Sequence, residues 1–578
     1  MAENRFSRRT LLKSGAVLAT AGALAFELEH NFGAKHVLTS LSSGLQDTIS
    51  WPTNQLLPTF SQPTSLDVAT IIGLPEDQQL LFSAFQGLVN RHKPEIYLLQ
   101  EDEEGRLTWL EELGIPYRFL SSPWELFAIH PGVARSIVLY DLALPDTINV
   151  ASTMASLTNS LVCSESLANA AIEATGLLVS TSFVDRFSDK IEAYKWAVNS
   201  LLPQCTKRAL VGLLPMLPSS TPPVELVPYF GEVFPLSTPQ DNLAPNVVNA
   251  YFRDFATAIK AFTFSLSPQI PEELDLFNEI LFHYDPMSIY LGWFPGGSEG
   301  GEVSGVSLLS EHQVPVCASD DFVNMSVTSG VQATITPPPL PPAPFLQNKI
   351  YVTLTFTEGD NLEYCEHHMR VLFNDSTRGS IPLNWSISPL LFDCAPMLMS
   401  YYYSNATSND CFVGGPSGSG YMFPSSWPSN LIESYVNATA NYLSKTGLSC
   451  LYTLNHPQGI PLDIPANVAG AYANIPNLNG ILNDWTSNPT FNIASGTLPI
   501  VSGQLASTPS ELTNFLTESK NNFSGNSPIF VSLGALSWNL TPSQIAPILL
   551  GLDSSIYSVV RADHFFSLIR QAKGLPPP

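Results

Sequence analysis

The residues best suited to chemistry lie between Tyr351 and Pro428. Tyr351, Val352, Thr353, Leu354, Thr355 and Phe356 form a β-branched and aromatic run that reads as a buried parallel strand, and it passes directly into Thr357, Glu358, Gly359, Asp360 and Asn361. Two carboxyls therefore sit where a strand stops. In α/β proteins the loops at that end are exposed while the strands beneath them are rigid, so chemistry collects there. Positions 358 and 360 share a face if the extended geometry continues, and Gly359 between them lets a ligand approach the backbone. Further on, Gly414, Gly415, Pro416, Ser417, Gly418, Ser419 and Gly420 lead into Tyr421, Met422, Phe423 and Pro424, with Asp410 before them and Trp427 after. So many glycines exclude a helix, and Tyr421 and Phe423, two apart in an extended segment, present two rings to one side. A sugar has an apolar C–H face and a hydroxyl rim, which aromatic rings and nearby Asp, Asn and Ser groups match.

The stretch Gly418 to Pro424 resembles the Gly-x-Gly-Tyr-x-Tyr-Pro signature of the GxGYxYP putative glycoside hydrolases, with Phe423 in place of the second Tyr. Glu358, Gly359, Asp360 and Asn361 resemble the family's acidic-Gly-Asp-Asn turn. Arg378 to Pro382, Trp385 to Pro389, Val560 to Phe566, Phe85 to Arg91 and Leu291 to Trp293 are similar to further segments of it. The resemblance spans about residues 63 to 573. It implies several small N-terminal domains ahead of a C-terminal one, and hydrolysis of a polysaccharide or glycoconjugate.

Glycoside hydrolysis needs two carboxyls across the scissile bond, one donating a proton and the other attacking or activating water. Glu358, Asp360, Asp410 and Asp484 are the candidates. Asp360 comes first because it lies in the turn that matches the family, and Asp410 second because it leads into the aromatic loop. Each has a plainer reading: Asp360 as cap of a helix from about Leu362, Asp410 as the holder of a turn. Tyr421, Phe423, Trp385, Trp427, Asn361 and His456 are the candidate sugar contacts, with packing as the alternative for the aromatics. His456 and His564 are candidate acid–base helpers, and a hydrogen-bonded core histidine is the plainer reading of each.

Three other classes have partial support in the sequence. The turn from Thr355 to Gly359 superficially resembles that of metal-dependent polysaccharide deacetylases, but none of the ten histidines lies four residues from another, and His367 and His368 are adjacent. No metal or other cofactor is expected; a site built from Asp360, Glu363 and His367 is the disfavoured exception. A serine hydrolase is disfavoured because Ser417 and Ser419 do not fit Gly-x-Ser-x-Gly. A carbohydrate-binding protein without catalysis would keep the aromatics and tolerate loss of the carboxyls.

Helix–strand alternation supplies the frame: several small α/β N-terminal domains, then a (β/α) barrel-like domain. The expected units are 63–142, 143–225 and 245–333, a Pro-rich linker over 334–347, and a C-terminal domain over 348–573. A helix is expected over about 247–264, and helices over about 362–373 and 389–402. Strands expected near 384, 450, 480, 529 and 558 suit a barrel of about seven or eight units, and several end in polar residues: Asn455 and His456, Asp484 and Trp485, Asp563 and His564. The glycine-rich segment Gly296 to Glu302 lacks the Lys-Ser/Thr of a phosphate loop. It reads as a loop reaching with Glu299 and Glu302 toward the C-terminal site, a solvated acidic loop being the plainer alternative.

Ser7, Arg8 and Arg9 precede a short apolar run from about Gly15 to Phe26, and Ala23 to Ala25 offers a small-x-small cleavage point. This pattern, over 1–30, predicts a twin-arginine signal peptide, export by that machinery to the periplasm or beyond, and no membrane association after cleavage. Only 13% of residues are charged, about half the usual share, yet the net charge is -25, which disfavours nucleic acid and anionic membranes as partners; the expected partner, a carbohydrate substrate, comes from the aromatic loop and the resemblance. The seven cysteines contain no Cys-x-x-Cys pair and read mostly as buried apolar fillers, a pairing among Cys365, Cys394 and Cys411 being left open.

Overall fold

The computed structural model describes residues 47–100, 106–218, 246–296 and 301–578. The twin-arginine segment and Glu299 lie outside them. Three small parallel sheets precede a barrel. The first is Leu66–Thr70 flanked by Ile96–Leu99 and Tyr117–Phe119, and the second is Ser136–Tyr140 flanked by Ser160–Ser164 and Val179–Ser182. The third orders Phe262–Phe264, Ala209–Gly212, Ile289–Gly292 and Val316–Cys317.

These pairings divide the chain differently from the sequence reading. The strand expected to close the first unit, Ser136–Tyr140, lies at the centre of the second sheet, and Ala209–Gly212, expected in the second unit, lies inside the third. A short apolar strand does not name its partners, because pairing is decided by distant segments. The helix expected over 247–264 is a strand, Asn246–Val248, a helix, Arg253–Ala258, and a strand, Phe262–Phe264. Asn246–Val248 pairs with Met216–Pro218, which periodicity alone does not reveal.

The C-terminal barrel is built from β1 (Ile350–Thr357), β2 (Leu383–Ile387), β3 (Asp410–Gly414), β4 (Cys450–Thr453), β5 (Gly480–Trp485), β6 (Leu498–Ala506) and β7 (Ile529–Leu536). Neighbours are parallel throughout, and β1 closes the ring by pairing with both β7 and β2. Tyr557–Val559, expected as a last stave, pairs only with the start of β1. Along β1, Ile350, Val352, Leu354 and Phe356 join the outer cluster with Trp385, while Tyr351 joins the inner one with Cys411, Tyr452 and Leu482. The inward Asn384 is fully paired: it donates to Thr353 Oγ1, Leu354 O and Thr355 Oγ1 and accepts from Ala562 N. Left unsatisfied, such a group costs about 1–3 kcal/mol.

That bond also fixes the start of the helix Ala562–Lys573, whose Phe565, Phe566 and Ile569 pack into the inner cluster. Gly480 opens β5 without a side chain because the Phe566 ring lies against it. This end of the barrel, where strands begin, is thus plugged by apolar rings, and a ligand must use the other end. The helix expected over 362–373 is broken into Glu363–Glu366 and His368–Phe373, and that over 389–402 into Leu391–Cys394 and Pro396–Ser404. Residues 336–344 form neither helix nor strand, and His564 Nε2 lies 2.8 Å from Pro341 O. All seven cysteines are buried and unpaired, so the pairing left open does not occur. Among the described residues no helix is long and apolar enough to cross a membrane.

Candidate active site at the seam of barrel and third domain

β1 ends at Thr357, and the backbone then carries Glu358, Gly359 and Asp360 across the barrel mouth toward the third sheet. Two contacts weld the units here. Leu362 N donates to Ala318 O at 2.9 Å, and Tyr421 exchanges backbone hydrogen bonds of 2.7 and 2.9 Å with Val316. The glycine motif makes the second contact possible. Gly420, at φ 103°, passes so close to Val316 that a Cβ would lie 3.0 Å from its carbonyl oxygen, and one on Gly418, at φ 143°, would lie 2.5 Å from Thr439 Oγ1. Positive φ and this proximity both require glycine. The strand ends of two parallel sheets therefore face one crevice, the usual ligand position in such folds.

The third domain brings Glu302, which opens the helix Val303–Glu311, and Asp320 and Asp321, which follow Val316–Cys317. Tyr421 Oη donates to Glu302 Oε1 at 2.8 Å and lies 3.5 Å from His456 Nε2, while His456 Nδ1 lies 2.8 Å from Asp484 Oδ2. Asp484 also accepts from Asn455 N at 2.6 Å. A Cβ on Gly359 would be 3.1 Å from Glu302 Oε1, so Glu302 stands directly against the turn between Glu358 and Asp360.

Glu358 is 3% exposed; its Oε1 accepts from Asn361 Nδ2 and Ser386 Oγ, each at 2.7 Å, and its Oε2 is buried without a hydrogen-bond partner. Burial pushes its carboxyl up to about 7 against those hydrogen bonds, with the Glu302 charge adding to the rise. Burial, then the charges of Glu302, Glu358, Asp320 and Asp321, hold the partly exposed Asp360 well above the carboxylate range. Burial also raises Glu302, against the lowering influence of the Tyr421 hydrogen bond and of His456. For His456, burial works downward, but the Asp484 hydrogen bond and charge, with Glu302, leave the imidazole above its ordinary value.

The sequence candidates thus divide. Glu358, Asp360, Asn361, Tyr421, His456 and Asp484 gather at the mouth. Asp410 does not: it begins β3 at the plugged end, where Oδ2 binds Arg378 Nη1 at 2.6 Å and Thr407 N at 2.8 Å and Oδ1 binds Trp385 Nε1 at 2.8 Å. Its plainer reading as a turn holder fits. The short helix after Asp360 has no side-chain cap, so capping does not account for that residue. Trp385 is fully buried against Phe356, with centroids 5.1 Å apart, and Trp427, 3% exposed, packs on Tyr435. Phe423 is also fully buried, its ring 4.8 Å from that of His456, so it backs the histidine and presents no face to a sugar. Sequence reasoning missed Asp320 and Asp321; the available signal was an acidic pair just after an apolar strand. Among the described residues no three His, Cys, Asp or Glu side chains are arranged to hold a metal ion.

Four family models match the chain: "GxGYxYP_N 1st domain" at 65–129, "GxGYxYP_N second domain" at 134–205, "GxGYxYP third domain" at 238–330 and "GxGYxYP putative glycoside hydrolase C-terminal domain" at 348–570. Among solved structures, a putative hydrolase from Bacteroides thetaiotaomicron is 20% identical over 91% of this chain and 99% of that one, with a TM-score of 0.74, which shows a shared fold. A probable polysaccharide deacetylase from Pseudomonas aeruginosa, 10% identical over 38% of this chain and 91% of that one, has a TM-score of 0.27, a level that bears on neither fold nor function. No curated protein matches. With all four of its domains present in order, the chain belongs to the GxGYxYP family.

Proposed function

We propose that this protein is an exported glycoside hydrolase acting on a polysaccharide or glycoconjugate, with Asp360 as proton donor and Glu302 as the second carboxyl. The observation that carries the reading is Glu302 of the third domain, held by Tyr421 against the turn that bears Asp360. A buried carboxyl surrounded by other carboxyls is pushed toward its protonated form and can give that proton to a glycosidic oxygen. Burial raises Glu302 too, but unlike Asp360 it has the Tyr421 hydroxyl and the neighbouring imidazole working against that rise, which suits it better to attack at the anomeric carbon or to activation of water. Burial, and after it the carboxyls of Glu302 and Glu358, oppose ionisation of Asp360.

The carboxyl-rich mouth also favours uncharged sugars over uronates or sulfated glycans, since a further negative charge there would oppose the ionisation that Glu302 needs. Export rests on the twin-arginine pattern and needs its own test, secretion of a reporter fused to residues 1–30. For the activity, the purified protein is screened against neutral and acidic glycans with chromatography of the products. Neutral glycan cleaved by wild type and not by Asp360→Asn supports the reading; equal cleavage by both removes Asp360 from it.

A further inference from the structure

In β5 the pairing with β6 slips by one residue: Asn483 faces Ser502 and Trp485 faces Gly503, so Asp484 is unmatched. Asp484 takes φ 32°, unusual for any residue other than glycine. In an unbroken strand neighbouring side chains point to opposite faces, so Asp484 and Trp485 could not both serve the barrel mouth. The bulge removes that restriction, as bulges beside active sites do. Asp484 reaches His456 while Trp485 turns back over the mouth.

The indole is built in from below. It lies across β6 and β7 at two glycines, where a Cβ on Gly503 would stand 2.9 Å from its Cζ3 and one on Gly534 would stand 3.0 Å from its Cε2. Tyr452 stacks beside it, with centroids 6.0 Å apart and planes at 29°, and ties the platform to the catalytic turn by donating from Oη to Glu358 O at 3.1 Å. Nε1 is buried without a hydrogen-bond partner and the residue as a whole is only partly buried, so any ring surface that a ligand meets is hydrocarbon. A strained backbone and two missing side chains thus hold a partly exposed aromatic surface flat at the open end of the barrel.

We infer that Trp485 is the floor of a pyranose subsite, taking the apolar C–H face of an uncharged sugar ring at the mouth shared by Glu302 and Asp360. The inference rests on the hydrolase reading. It goes beyond it in assigning a ring-binding surface, the role that Phe423, Trp385 and Trp427 are too buried to play. An indole offers the ring face that a sugar needs at small entropic expense.

The test uses the full-length protein and four neutral trisaccharides, of glucose, galactose, mannose and N-acetylglucosamine, titrated by calorimetry and by tryptophan fluorescence. Trp485→Leu fills the cradle without an aromatic face, and Trp485→Phe keeps a face. For the trisaccharide bound by wild type, the Leu variant is expected to bind at least about tenfold more weakly and the Phe variant within about threefold. The fluorescence change of wild type is expected to vanish in the Phe variant. Binding by the Leu variant within about twofold of wild type, or an unaltered fluorescence change in the Phe variant, overturns the subsite and leaves the hydrolase reading standing. Should the Leu variant not fold, the fluorescence comparison decides alone. Failure of wild type to bind any of the four overturns the hydrolase reading and the subsite with it.

Discussion

The phenol of Tyr421, in the glycine motif of the barrel, donates a 2.8 Å hydrogen bond to Oε1 of Glu302 in the third domain. One bond thus joins the two halves of the crevice and also favours the charged form of Glu302. Tyr421→Phe removes it without changing the ring. A hydrogen bond to a charged group is worth about 1.5–3 kcal/mol, so kcat falls roughly 10- to 100-fold. Tyr421 is 1% exposed and KM stays near wild type, because the phenol acts through Glu302. The acid limb of the pH–rate profile moves to higher pH, since the lost bond was lowering the carboxyl. Steady-state kinetics across pH read both effects.

Asp360 sits among carboxyls that oppose its ionisation. Asp360→Asn lowers kcat by about 10²- to 10⁴-fold, the range for loss of a general acid, yet removes a potential charge from a repulsive cluster. Its melting temperature equals or exceeds that of wild type. Calorimetry beside kinetics checks this pairing of lost activity with kept stability.

Burial raises Glu358, Asp320 and Glu366, each to about 7, Asp320 also feeling Asp321. A carboxyl raised in the folded state contributes stability that is fully present below its unfolded value and is lost as pH rises through its folded value. These three groups therefore make stability fall from about pH 5 to about pH 8, the reverse of a salt-bridged carboxylate. Melting curves over that range show the slope, and Glu358→Gln flattens it.

Asp410 is 1% exposed and ion-paired with Arg378 at the plugged end of the barrel. Asp410→Ala destabilises the fold by about 3–5 kcal/mol, the penalty for breaking a buried pair. At a temperature where the variant remains folded, its kcat is that of wild type. Denaturant titration and kinetics separate the two.

The barrel was legible because buried parallel strands are short β-branched runs, and because Glu358, Asp360, His456 and Asp484 all follow such runs. What composition could not show is which end of a strand a residue occupies. Asp410 precedes Cys411, Phe412 and Val413, so it lies a full strand length from the mouth despite its nearness in sequence to Tyr421. Trp385 and Phe423 carried the ambiguity of every aromatic, since core packing and sugar stacking ask for the same rings. The position of Glu302 depended on the third domain docking through Val316, a contact between segments more than a hundred residues apart. Its glycine-rich surroundings hinted at a loop reaching the site but fixed no partner. Trp485 reached the mouth through a bulge, which no alternation pattern announces.

The most direct test of a site shared by two domains is the turnover of Glu302→Gln on a glycan that wild type cleaves, measured with its binding of the same glycan. Loss of at least about 100-fold in kcat, with binding and melting temperature kept, is the predicted result. Wild-type kcat in that variant would contradict the account, because the third domain would then contribute no chemistry to the barrel mouth.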